Sequence, residues 1–311
     1  MTENGMKQGQ IIAAVDGSEH SLKALEWALA TGAATGAEVV VAHVLPDHAQ
    51  VWQARRTAVV GEPPETPDPV TENVRLSLQG RGALPRVRYE SLGGEVPGAL
   101  NRAAEGAGML VLGSRGRGGF ASLLLGSTSR SCTATAPCPV VVVPHAARVA
   151  PPEPADGQDA GAAGTNRILL GLEPTETEDQ VVDFAFRQAA AGAHALTALT
   201  AFRDPVAPLP LIGAPMAGLP EDTAPLLREI ERAQHERLDP FSRRYPQVVL
   251  DTLVGPGDAA GQLVGQSETA ALLVVGRHRS RLRADSLLVG SVTNAALLHA
   301  HCPVAVVPAP A

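Results

Sequence analysis

The sequence predicts an α/β protein made of two tandem domains, each a doubly wound parallel sheet with helices on both faces. Three observations carry this. A set of landmarks occurs twice, short Val-rich runs alternate with amphipathic stretches, and a spacer of Pro, Gly, Ala and Asp separates the two copies. At 311 residues the chain is long for one compact domain and comfortable for two of about 150 each. It is 45% hydrophobic and 18% charged, enough for a core in each half. Aromatics make up only 3%, so that core falls to Val, Leu and Ala.

In the first copy, Ile11 to Val15 reads as a strand. Ser18 stands at the N-cap position, with Glu19 in the first turn and Leu22, Leu25 and Leu29 at helical spacing. Glu38 to Val44 is the second strand and Arg86 to Glu90 the third, followed by a helix over Val96 to Glu105. Met109 to Leu112 is the fourth strand. Ser122 to Thr135 is mostly helix, and Pro139 to Val143 closes the copy. The stretch from about Asp47 to Leu84, with GEPPETPDP inside it, reads as irregular, as does Asp204 to Asp222. Strands joined by helices imply right-handed crossovers and a parallel, Rossmann-like sheet.

The second copy repeats the first in order. IIAAVDGSE matches ILLGLEPTE, MLVLGSRG matches LLVVGRHR, LLLGSTSR matches LLVGSVTN, and CPVVVVP matches CPVAVVP. Four landmarks in one order mark a tandem duplication. The domains are then 1–146 and 166–311, with a linker over 147–165 inside the Ala146 to Asn166 spacer.

In such sheets ligands bind beyond the carboxyl ends of the strands, where strand order reverses. Two loops meet there. One carries Asp16, Gly17 and Ser18. The other is VLGSRGRGGFASLLLGS, with Gly113, Ser114, Arg115, Gly116, Arg117 and then Gly126, Ser127 and Thr128. Small residues let phosphate oxygens approach the backbone. Backbone N–H groups and a helix N-terminus supply positive potential, Ser127 and Thr128 offer hydroxyls, and Arg115 and Arg117 offer charge.

Gly113-x2-Gly116-x9-Gly126-Ser127 resembles the nucleotide-binding pattern of the universal stress protein family, in its ATP-binding branch. Asp16, the His43-Val44 pair and the CPVVVVP ending resemble that family too. The resemblance covers the first half nearly end to end, apart from Asp47 to Leu84, and the second half in outline. It implies the adenine-nucleotide alpha hydrolase-like form of the fold. It implies that Asp16 and Gly17 lie near the adenosine, that Val44 contacts adenine, and that Gly113, Gly116, Gly126 and Ser127 hold ribose and phosphates. It also implies ATP as ligand, with Mg²⁺ on its phosphates, a part in stress survival or dormancy, and dimerisation through the last strand. In a tandem chain that pairing can be internal, with or without a homodimer.

The second copy departs from the pattern. Gly276 remains, but Arg279 stands where Gly116 stands in the first, Gly290-Ser291 comes one residue late, and Glu173-Pro174 replaces Asp16-Gly17. Thr175-x-x-Glu178 reads as a capping box. Arg277, His278, Arg279, Arg281 and Arg283 form a basic cluster suited to an anion or to the acids of Glu173 to Asp179.

The net charge of −7 argues against nonspecific binding to nucleic acid or to an anionic membrane. No basic segment followed by an apolar run reads as a signal peptide. No stretch approaches the roughly 20 apolar residues of a spanning helix. Three cysteines without framework spacing fit a reducing compartment, so the expected location is cytoplasmic. His299-x-His301-Cys302 lacks a fourth metal ligand, and no protein metal site is expected. No Walker motif or nucleophile–base pair is legible, so no catalytic residue is assigned. The expected function is a nucleotide-dependent regulatory module. The alternatives are a slow ATPase or other ATP-using enzyme of related fold, and a nucleotide-free dimeric scaffold.

Overall fold

The computed structural model describes residues 9–45, 68–116, 125–144, 167–202, 224–277 and 289–309. Along the first half run β1 (Ile11–Ala14), α1 (Glu19–Thr35), β2 (Val39–Leu45), α2 (Pro69–Leu78), β3 (Val87–Gly93), α3 (Val96–Ala103), β4 (Met109–Gly113), α4 (Ser127–Thr135) and β5 (Val140–Val143). The second half gives β6 (Arg167–Gly171), α5 (Asp179–Gly192), β7 (Ala195–Phe202), α6 (Ala224–Arg244), β8 (Leu250–Pro256), α7 (Ala259–Gln266), β9 (Leu272–Gly276), α8 (Ser291–His299) and β10 (Val304–Val307).

Two structural units result. One comprises Met1–Pro151, Arg277–Gly290 and Pro303–Pro308; the other comprises Pro152–Gly276, Ser291–Cys302 and Ala309–Ala311. In the first, β3, β2, β1, β4 and β5 lie side by side and parallel. β10 adds to β5 antiparallel, with Ala305 opposite Val141. The units therefore interleave along the chain where the sequence repeats do not. In the second unit β9, β6, β7 and β8 form a parallel sheet. Both are doubly wound α/β sheets.

The strands form where the sequence is continuously apolar. Val39 to Ala42 in β2 and Leu110 and Val111 in β4 are wholly buried, as central parallel strands covered on both faces must be. Ser18 caps α1 as its position predicts, its hydroxyl accepting from the Ser21 N–H at 3.3 Å. Ala24, Leu25, Ala28 and Leu29 form the buried stripe of α1, whereas Leu22 is exposed. α4 starts at Ser127 with Gly126 as its N-cap, so the helix is shorter than Ser122 to Thr135 implies.

One expectation is overturned. The region Asp47 to Leu84 is not irregular throughout, because α2 occupies Pro69–Leu78. Asp68 caps it, Pro69 opens it, and Val70, Val74 and Leu78 are buried at fourfold spacing. Proline is tolerated in a helix's first turn, where its missing N–H has no partner to lose. The prolines just upstream disguised a real start signal. Residues 47–67 of that stretch, the spacer and Asp204 to Asp222 lie outside the described residues.

Cys132, Cys138 and Cys302 are free and buried, and burial pushes each thiol up to about 12, so none is a thiolate at neutral pH. Among the described residues no helix is long and apolar enough to cross a membrane.

Ala305 is wholly buried against β5. Ala305→Asp places an unpaired carboxylate there and costs at least about 3 kcal/mol. Hydrogen exchange locates the effect: β5 amides lose protection, while those between β7 and β8 keep theirs.

Candidate functional site

Strand order in the first unit reverses between β1 and β4, so the loops leaving these neighbours open a crevice at the carboxyl edge of the sheet. The chain leaves β1 through Val15, whose N–H still bonds the Ala42 carbonyl. It then turns at Gly17, where φ is +80°, a backbone region open to glycine at little cost. Asp16 closes this turn on itself. Its Oδ1 accepts from the Ser18 N–H at 2.9 Å and from the Ser18 hydroxyl at 2.6 Å. Its own N–H donates to Ser21 Oγ.

The β4 exit is brought against this turn by glycine. A methyl group on Gly113 would sit 2.6 Å from the His20 carbonyl oxygen, and one on Gly116 would sit 2.6 Å from Asp16 Oδ2. Ser114 is buried, and its N–H bonds the Val143 carbonyl. Gly126 returns to the same place, its N–H donating to the Ser114 carbonyl at 2.8 Å. Ser129 fastens the start of α4 by donating from its hydroxyl to the Gly113 carbonyl at 2.7 Å.

The structure thus brings Asp16, Gly17, Gly113, Ser114, Arg115, Gly116, Gly126, Ser127 and Thr128 to one crevice. Gly17, Gly116 and Ser127 are exposed, and Arg115 and Thr128 half-buried. Gly126 has no side chain to close the first-turn N–H groups of α4, which remain the natural anion-facing end of that helix. Ser114 contributes backbone to the loop and little exposed surface. Arg117 lies outside the described residues.

Val44 sits near the end of β2, buried to 8% exposure. Beside it is a feature that the sequence alone did not reveal. His43 Nδ1 lies 2.7 Å from Asp68 Oδ2, and Ser91 Oγ donates to the same oxygen at 3.0 Å. Asp68 Oδ1 meanwhile accepts from the Val70 N–H. Burial alone raises the Asp68 pKa, but the bonds from His43, Val70 and Ser91 and the charge of His43 outweigh it, and the carboxyl lies below its ordinary value. The legible signal was Asp-Pro at a helix start, with a histidine on the preceding strand.

A model of the universal stress protein family matches residues 9–144 and 164–308. The chain belongs to the universal stress protein family. A universal stress protein of Mycobacterium tuberculosis is 32% identical over 307 residues, spanning 96% of this chain and 97% of the relative. One of Mycolicibacterium smegmatis is 29% identical over 323 residues, spanning 99% of each. Among solved structures, a universal stress protein from Archaeoglobus fulgidus superposes with TM-score 0.61 at 17% identity, covering 97% of this chain and 99% of that one. A putative universal stress protein from Pseudomonas aeruginosa gives 0.55 at 14%, covering 98% and 95%. These last two show the shared fold.

The second universal stress protein repeat keeps the turn and changes its surroundings. Glu173 Oε2 accepts from the Thr175 N–H, the Thr175 hydroxyl and the Glu176 N–H, much as Asp16 serves Ser18. The capping box over Thr175 and Glu178 does not form. α5 begins after Glu178, which makes no side-chain cap, and Thr175 donates its hydroxyl to Glu173 instead. Thr293 donates to the Gly276 carbonyl at 2.9 Å, as Ser129 does to that of Gly113. Arg277, expected to hold an anion or pair with the acids, directs Nη1 to the Ala136 carbonyl at 2.8 Å. The remaining members of that basic cluster, His278, Arg279, Arg281 and Arg283, lie outside the described residues.

The lowered Asp68 pKa gives a pH signature. A carboxyl depressed by folding stabilises fully above its unfolded pKa, and loses that contribution as pH falls through the folded one. The stability gap between wild type and Asp68→Asn, read by urea denaturation, is therefore widest above about pH 4 and narrows below it.

Proposed function

We propose that the first repeat binds ATP in the crevice between the β1 and β4 loops, and that the protein acts as a nucleotide-dependent regulatory module in stress response or dormancy. The observation that carries this is the meeting of Gly116 with Asp16 Oδ2, a cradle that any Cβ would fill. It lies beside the Gly126-capped N-terminus of α4. Glycine costs conformational entropy, and at Gly116 a larger side chain would push aside a carboxylate already held by Ser18.

In this reading Asp16 and Gly17 face the adenosine, and Val44 packs against adenine. The backbone of Gly113 to Gly116, together with Gly126, Ser127 and Thr128, holds ribose and phosphates, with Arg115 adding charge. Mg²⁺ comes with the phosphates rather than from a set of protein ligands. In this reading the role is binding rather than turnover, with Asp16 Oδ1 engaged by the Ser18 N–H and hydroxyl so that the carboxylate serves to shape the turn. Bound nucleotide shifts the population of conformations seen by a partner, and the free energy for that shift is the difference in affinity between states. The reading extends to a reducing cytoplasm, and to pairing of final strands within one chain, which the antiparallel β5–β10 register supports. It makes the second repeat nucleotide-silent.

Two measurements test it together. Heat-denatured purified protein releases about one ATP per chain by chromatography. Saturating Mg-ATP, at a hundredfold excess over Kd, raises stability by about 2.7 kcal/mol. Gly116→Arg abolishes the gain, and Gly290→Val leaves it intact. A melt that ATP does not move removes the reading; steady ADP release lost in Gly116→Arg replaces it with the ATPase.

A further inference from the structure

The end of β2 overhangs its neighbour. β1 pairs with β2 only as far as Ala42, where the Val15 N–H makes the last bond. β3 continues for three more residues, pairing with His43, Val44 and Leu45. These residues are therefore held on one side only, and their other side borders the crevice. Left to the β3 ladder, such a strand end frays, since a terminal overhang has few partners to hold it.

The His43 side chain supplies a second hold. It lies opposite Ser91 in the ladder, and both reach Asp68 Oδ2. Asp68 is itself fixed: it caps α2 through Oδ1, and its backbone carbonyl accepts from the Thr71 hydroxyl. The two side chains of the pair are 11% and 2% exposed. Successive residues of a strand point to opposite faces, so anchoring His43 on the Asp68 side turns Val44 to the other.

The second repeat supplies the comparison. Counting from the matched residues Ile11 and Ile168, the place of His43 is taken by Thr200, also buried and also first in a three-residue overhang. There the hold is Gln234, from the middle of α6, whose Nε2 donates to Thr200 Oγ1 and to the Ala198 carbonyl, both at 3.0 Å. Among the described residues, the imidazole–carboxylate tie to a helix cap occurs in the repeat whose glycine pattern is intact and not in the other.

We propose that His43 is a positioning residue for the nucleobase: tied to Asp68, it fixes the overhang of β2 and so sets the wall that Val44 offers to adenine. This rests on the ATP reading of the same crevice. His43 acts through β2 and does not touch the phosphates, so its loss weakens the grip on the base and spares the grip on the triphosphate.

The test compares ATP with inorganic tripolyphosphate, both with Mg²⁺, by calorimetry on the full chain. His43→Ala raises the Kd for ATP about tenfold, the scale set by leaving a buried partner unpaired, and leaves tripolyphosphate unchanged. His43→Asn places an amide N–H where Nδ1 stood and keeps ATP affinity within about threefold of wild type. Asp68 still caps α2 in both variants, and a thermal melt checks that they fold. Three outcomes overturn the proposal alone: His43→Ala binds ATP like wild type, it loses both ligands in proportion, or His43→Asn is as weak as His43→Ala. A wild-type protein that binds tripolyphosphate as tightly as ATP has no base grip and overturns it too. A wild-type protein that binds neither ligand overturns the ATP reading, and this inference with it.

Discussion

The first unit depends on one close approach, that of Gly113 to the start of α1. Its Cα stands so near the His20 carbonyl that no Cβ fits between them. That contact lets the chain leaving β4 run against the β1 turn rather than away from it. Three further bonds follow: Ser114 to β5, Gly126 back to Ser114, and Ser129 to the Gly113 carbonyl. Each uses a backbone group that a displaced loop would strand, and a buried unpaired backbone group costs about as much as a lost hydrogen bond. The position of α4, and with it the direction of its N-terminal dipole, is thus a consequence of one missing side chain.

The second unit shows what happens when that constraint relaxes. A Cβ on Gly276 would meet Val181 Cγ2 at 3.4 Å, an ordinary contact with a side chain rather than a collision with backbone. Glycine is permitted there but not required. The loop after β6 keeps the self-closing carboxylate turn, yet it carries Glu173, Glu176, Glu178 and Asp179 within seven residues. It is braced from α6 by Arg237, which donates to the Thr177 carbonyl at 2.7 Å and pairs with Asp179 at 2.6 Å. A loop with that charge disfavours a triphosphate, whereas Arg115 in the first repeat would favour one, as the proposed reading requires.

The strands and the crevice were legible because their signals are local and redundant. Val-rich runs of four to seven residues have few alternatives to a buried strand, and the glycine spacing fixes which loops meet. The duplication was legible because each half restates the other. α2 was hidden by the prolines before it, although Asp68-Pro69 with Val70, Val74 and Leu78 is a complete helix start. The false capping box over Thr175 and Glu178 has the opposite cause. Glu173 competes for the Thr175 hydroxyl from two residues away, and a short-range turn wins over a cap that needs the helix already begun. The partnership of His43 with Asp68 links residues 25 apart across a stretch without periodicity, and only the sheet register brings Ser91 to it as well.

The two repeats solve one structural problem with different chemistry, and the difference bears on function. A buried polar position on the second strand must be satisfied in each. Thr200 and Gln234 do so with neutral groups, Nε2 donating to Thr200 while Gln234 Oε1 is buried without a partner. His43 and Asp68 do so with an imidazole and a carboxylate, which are more expensive to bury. If bridging strand to helix were all that was needed, the neutral pair would serve in both. What the imidazole–carboxylate pair adds is a second attachment: its carboxylate also caps α2 through the Val70 N–H, so the strand end is tied to a helix start rather than to a long amide side chain. In the proposed reading, a fixed strand end is what a repeat holding a flat base in one orientation requires, and a repeat silent toward nucleotide has no such need.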